Sequence, residues 1–95
     1  MAVVETQSDA TANGNGTVAT VSGPCTVEIE GASVLDGAEV AVQTSYSNVS
    51  GDYITIGVLK EGLSKFNVQQ QGTYYVRTPL TKAGSSSSVT IKVGQ

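Results

Sequence analysis

The sequence predicts an all-β domain: an antiparallel β-sandwich of about seven strands, Ig-like or jelly-roll-like. Three observations carry that expectation. Val, Thr and Ser dominate the 95 residues, whereas Leu stands only at Leu35, Leu59, Leu63 and Leu80. Beta-branched side chains are stiff at χ1 and suit a pleated surface better than a helix. Apolar and polar residues alternate with period two, which gives each strand one wet face. Gly, Asn, Asp and Ser punctuate the chain at intervals of about 8–12 residues, the rhythm of turns in a sandwich.

Each element follows from this pattern. Residues 1–16 are polar and end in Asn13-Gly14-Asn15-Gly16. They read as an N-terminal arm, irregular unless docked on the domain or on a partner. The single sandwich domain is expected over residues 17–95. Its first strand is 17–22, closed by Gly23-Pro24. The second, 25–30, sets Cys25, Val27 and Ile29 against Thr26, Glu28 and Glu30. A connection with an Asp36-Gly37 turn leads to 38–46, with Ala38, Val40, Val42 and Thr44 inward and Glu39, Gln43 and Ser45 outward. After a turn at Gly51-Asp52, the strand 53–59 groups Ile54, Ile56 and Val58 on one face. Lys60-Glu61-Gly62 is a tight turn. Then 64–70 brings Phe66 and Val68 inward. The strand 73–80 puts Tyr74, Val76, Thr78 and Leu80 on one face and Tyr75 and Arg77 on the other. A polar loop at 81–86 precedes 88–93, with Val89, Ile91 and Val93 inward. No stretch shows a sustained helical stripe, and the one candidate, 59–66, is broken by Gly62.

Composition narrows function. One cysteine cannot close a bridge within the chain, and the absence of histidine excludes histidine catalysis and histidine metal sites. With 8 Asp+Glu against 5 Lys+Arg, the net charge of -3 argues against direct nucleic-acid contact. No apolar run approaches the roughly 18 residues of a membrane span, and residues 1–10 lack the plan of a secretory signal. No membrane association is expected. The core, filled mostly by Val, is expected to be thin, so modest stability alone or help from a second copy is anticipated.

Candidate chemistry is sparse. The Asn13–Gly16 run lacks the helix and lysine that a phosphate loop requires, so a flexible segment is the better reading. Cys25 has no base to form a thiolate, and its alternation with Val27 and Ile29 makes it a small core residue. Asp36, Glu39 and Asp52 lack calcium-loop spacing and read as surface charge. Paired-carboxylate sugar hydrolysis would need a groove that so small a domain has little room for. Two N-glycosylation patterns, at Asn15 and Asn48, read as chance, and Ser85–Ser88 as a polar loop end. Neither a catalytic residue nor a cofactor is expected, and the chain reads as a non-enzyme. Tyr53, Tyr75 and Arg77 are the candidate partner-binding residues, with Tyr46 a weaker addition. Tyr75 and Arg77 share a wet face, and Tyr and Arg are the types most enriched at interface hot spots. A scattered surface aromatic is the competing reading.

A wider pattern joins these pieces. Gly31 leads to Gly37-Ala38-Glu39-Val40-Ala41-Val42-Gln43-Thr44-Ser45. Gly72-Thr73-Tyr74-Tyr75-Val76-Arg77 follows, and Ser88-Val89-Thr90-Ile91-Lys92-Val93 closes the chain. Over about residues 17–95 this resembles small bacteriophage virion structural proteins. Those often carry an aromatic segment in mid-chain, where this chain has Gly51-Asp52-Tyr53-Ile54-Thr55. The resemblance implies a structural role, as a capsid decoration, head-fibre or tail-associated module; the leading expectation is a capsid decoration (cement) protein, made in the host cytoplasm and docked on the outer surface of the major capsid protein. The arm is then the candidate docking extension. The alternative is a tail- or fibre-associated module recognising a host glycan or receptor.

Overall fold

A computed structural model describes residues 3–10, 13–29, 37–60, 63–82 and 89–95. Nine strands run through them: β1 (Val3–Ala10), β2 (Ala19–Ser22), β3 (Cys25–Ile29), β4 (Glu39–Ser45), β5 (Ile54–Leu59), β6 (Lys65–Val68), β7 (Thr73–Arg77), β8 (Leu80–Lys82) and β9 (Val89–Gly94). A 3-10 turn, Ser50–Asp52, precedes β5.

All pairings are antiparallel and fall into two sheets. Sheet A has the order β1-β9-β3-β6; sheet B has β2-β7-β4-β5, with β8 also on β4. β7 and β8 act as one strand interrupted at Thr78-Pro79. Proline has no N–H to give the ladder, but its carbonyl still accepts from Ala41 N–H at 3.0 Å. Counting that broken strand once, the two sheets interleave in the order of a jelly roll, in which the first strand pairs with the last. In sheet A, no strand lies beside its neighbour in sequence. That separates the fold from an Ig sandwich, where the first two strands share a sheet edge.

Alternation in the sequence becomes the core between the sheets. Cys25, Val27 and Ile29 of β3 and Val89, Ile91 and Val93 of β9 face Val40 and Val42 of β4 and Tyr74 and Val76 of β7, all buried. Val68, Leu59, Leu80, Ala19 and Val21 complete the cluster, with Phe66 packed against it. Burying each Val or Leu is worth about 1.5–3 kcal/mol, so the core rests on many small contributions.

Two sequence expectations are corrected. Residues 3–10 are not an irregular arm. They form β1, which pairs with β9 from Val3↔Gly94 to Ala10↔Val89. The division at residue 16 therefore does not separate an arm from a domain, and this stretch is occupied within the fold. Val4 packs against the core, but the buried Thr6 and Gln7 are polar, and they tie the two sheets. Thr6 Oγ1 and Thr78 Oγ1 lie 2.5 Å apart, and Gln7 Nε2 donates to Thr78 O at 2.8 Å and Gly14 O at 3.0 Å. Thr17 N–H donates to Thr6 O at 2.9 Å. These bonds explain how Thr6 and Gln7 can be buried. Gly16 sits beneath them at φ +67, where an added Cβ would run into the Thr6 carbonyl oxygen.

The second correction concerns β5. Ile54, Ile56 and Val58, grouped on one face by the alternation, do not share one; a register slip falls among them, and all three are exposed. β5 is the edge of sheet B, and its register on β4 slips between Gly57↔Val42 and Thr55↔Gln43, leaving Ile56 without a partner there. Such a bulge reverses the alternation of side chains past it. Gly57 has a separate constraint: the Phe66 ring occupies the place a Cβ would take.

Candidate functional site

The outer face of sheet B gathers the three predicted residues. Tyr74 and Val76 point into the core, so alternation sends Tyr75 and Arg77 outward, both half-buried. Pairing sets Arg77 opposite Gln43 on β4, and Gln43 opposite Thr55 on β5. A polar row follows from that register. Arg77 Nε donates to Gln43 Oε1 at 2.6 Å, and Gln43 Nε2 donates to Thr55 Oγ1 at 3.0 Å.

Tyr53 reaches this row through the β4–β5 connection, which is closed on itself. Ser45 Oγ donates to Ser47 O at 2.5 Å, Ser47 Oγ to Asp52 Oδ2 at 2.6 Å, and Asp52 N–H to Val49 O at 2.9 Å. The Tyr53 hydroxyl donates to Asn48 Oδ1 at 2.8 Å, which engages the side chain of the Asn48 glycosylation pattern. Arg77 then pins the loop to the sheet. Its Nη1 donates to Ser50 Oγ at 3.2 Å, and its guanidinium carbon lies 4.1 Å from the centroid of the Tyr53 ring. At a half-exposed site such a cation–π contact is worth about 0.5–1 kcal/mol. Burial pushes the Tyr53 hydroxyl above its ordinary pKa; the Arg77 charge opposes this, and Tyr75 adds to it. All three residues thus share one electrostatic neighbourhood.

Gln43, Ser50 and Thr55 complete the arrangement. Sequence reading marked Gln43 as outward-facing but could not see its bond to Arg77, which depends on a strand register set across the sheet. Tyr46 stands apart. It is 65% exposed, donates to Gln71 O at 2.9 Å and meets the Tyr74 ring edge-on at 6.3 Å. With Thr44, Asp52, Ile54, Ile56 and Gln70 it lines a shallow hollow of about 300 Å³ beside the β5 edge.

The remaining candidates carry no chemistry of their own. Cys25 is buried and free; burial pushes its thiol up, while the hydroxyl of Tyr74, donating to Sγ at 3.4 Å, pulls the other way. A raised thiol pKa opposes nucleophilic use. Gly14 exchanges two backbone bonds with Leu80, an isolated bridge that holds this loop against β8. Asp36 and Ser85–Ser88 lie outside the described residues. Among the described residues, no three His, Cys, Asp or Glu converge as metal ligands, and no helix is long and apolar enough to cross a membrane. Comparison with known proteins finds no match to a family model, a curated protein or a solved structure.

Proposed function

We propose that this chain is a non-enzymatic structural virion protein: a capsid decoration protein that docks on the outer surface of the major capsid protein. The observation that carries the reading is the Tyr53–Arg77–Tyr75 patch on the outer face of sheet B, where Arg77 is bonded to Gln43 and Ser50 and stacked on Tyr53 before any partner arrives. Interfaces gain affinity when rigid aromatic and Arg anchors are pre-organised, because less side-chain freedom is lost on binding. The polar row beneath, Gln43 and Thr55, keeps the patch in register. Its double-sheet architecture is one that viral capsid proteins share with lectins and cupins, so the fold agrees with the reading without deciding it. The mechanism is passive. Many copies, each bound weakly, reinforce a shell by avidity. The patch, and not residues 1–16, is the docking element, since Val3–Ala10 is engaged in sheet A.

Co-sedimentation of the purified chain with assembled capsid shells tests this. Tyr75→Ala combined with Arg77→Ala should weaken binding by more than about 1 kcal/mol. Arg77 also pins the loop, so Tyr75→Ala alone is the cleaner variant, and it should retain the wild-type urea midpoint. Undiminished binding by both variants would remove the patch from the interface. Saturable binding to host polysaccharide, with none to capsids, would favour the fibre module instead.

A further inference from the structure

We infer that Asn15 is a site of spontaneous deamidation, and that the fold directs the reaction to Asn15 and away from Asn13. This inference stands apart from the capsid reading and holds or fails without it.

The asparagines of the chain are Asn13, Asn15, Asn48 and Asn67, and only Asn13 and Asn15 precede glycine. The chemistry favours that neighbour. The main-chain nitrogen of the following residue attacks the asparagine Cγ. An N–Cγ bond forms, the Cγ–Nδ2 bond breaks, and ammonia leaves with the proton that the attacking nitrogen gives up. Water then opens the cyclic imide to aspartate or isoaspartate. Nothing is oxidised or reduced, and water is the one co-reactant. Glycine has no Cβ to block the approach. Asn48 and Asn67 are each followed by valine, and both side chains are engaged. Asn48 Oδ1 accepts from the Tyr53 hydroxyl, and Asn67 Oδ1 from the Thr26 hydroxyl.

In sequence the two Asn-Gly pairs are alike; the fold makes them unequal. All four residues are exposed to water. Gly14, whose nitrogen would attack Asn13, is held at three points. Its N–H donates to Leu80 O at 3.2 Å, and its carbonyl accepts from Leu80 N–H at 2.8 Å and from Gln7 Nε2 at 3.0 Å. Attack by this nitrogen requires the bridge to open first. Gly16, whose nitrogen would attack Asn15, carries no such restraint. Among the described residues, neither the Gly16 N–H nor the Asn15 side chain has a hydrogen-bond partner. The next donor along the chain, Thr17 N–H, is taken up by Thr6 O at 2.9 Å, which anchors the loop and leaves the Gly16 nitrogen free.

Peptide mapping by mass spectrometry reads this directly, on the folded full chain held for weeks near neutral pH and body temperature. Conversion makes a peptide heavier by the difference between water and ammonia, and adds a negative charge that ion exchange resolves. Asn15 is expected to convert at least about tenfold faster than Asn13, because the bonds of Gly14 must open before its nitrogen can attack. In concentrated guanidinium chloride the two sites should convert at similar rates. Asn15→Gln should remove the fast phase and leave the circular dichroism unchanged. In the folded chain, equal rates, faster conversion at Asn13 or no conversion at either site would overturn the inference. So would a preference for Asn15 that persists in denaturant, since it would then belong to the sequence and not to the fold.

Discussion

β2 and β5 form the two sides of sheet B, yet they meet solvent in opposite ways. β2 is short and tied down. Gln95 bonds the main chain of Ser22, and Thr17 reaches Thr6 across the sandwich. β5 is longer, uncharged and mostly aliphatic, and the loop before it presents Tyr53 to the Arg77 row. The side tied by polar cross-links serves the fold. The side left open gathers most of what a partner could recognise: an aromatic–arginine patch, an aliphatic edge and a hollow lined by Tyr46 and Ile54. Among the described residues, the exposed Tyr46, Val49, Ile54, Ile56 and Val58 lie on this flank, while Val3 lies on β1 of the other sheet.

The contrast can be broken most severely from the tied side. Deleting residues 1–12 removes β1, uncovers the edge of β9 and strips Thr78 of its Thr6 and Gln7 partners. Loss of cooperative urea unfolding is expected, followed by circular dichroism. A deletion variant with the wild-type midpoint would mean that β1 contributes little to the fold.

Gly57→Ala tests the open side. The new Cβ meets the Phe66 ring, which already packs on the core. A cost of about 1–3 kcal/mol in urea is expected. Adding Phe66→Leu should recover part of it.

Alkaline titration probes the core between the two flanks. Cys25 is held protonated above its ordinary value of 9.0, and Tyr74 above 10.0, both chiefly by burial. The unfolded chain releases these protons first, so above about pH 9 it binds fewer than the folded chain. Stability should therefore be complete below that pH and fall as pH rises further. Urea midpoints between pH 7 and 11 check the sign, and Cys25→Ala should delay the onset of the fall.

The smallest effect is expected at the β2 cap. Gln95→Ala removes two exposed bonds to Ser22 and should cost no more than about 1 kcal/mol. A larger loss would make the cap a structural tie comparable to Thr6.

Much of the sandwich was legible in the sequence because most strands have one dry face. β3, β4, β7 and β9 each write that face as alternating Val, Ile or Tyr, and their inward residues are buried as expected. β1 was illegible for the converse reason. Its inward Thr6 and Gln7 are polar, and only partners at Thr78 and Gly14, far along the chain or in a loop, make their burial tolerable. The alternation of β5 was visible, but an edge position and a bulge leave its aliphatics outside. Nor could the jelly-roll order be read, since β1↔β9 pairing depends on which strands meet and not on any strand's own pattern. At the candidate site, Tyr75 and Arg77 were legible from alternation alone. The approach of Tyr53, and the bonds to Gln43 and Ser50, arise from loop closure and sheet register.

The docking claim is tested most directly by counting this chain on purified particles against the major capsid protein, by quantitative mass spectrometry. A decoration protein should be present in a fixed ratio to the capsid subunits, and Tyr75→Ala should lower that ratio without lowering the amount of folded chain. Absence from particles, or a copy number confined to one vertex or the tail, would contradict it.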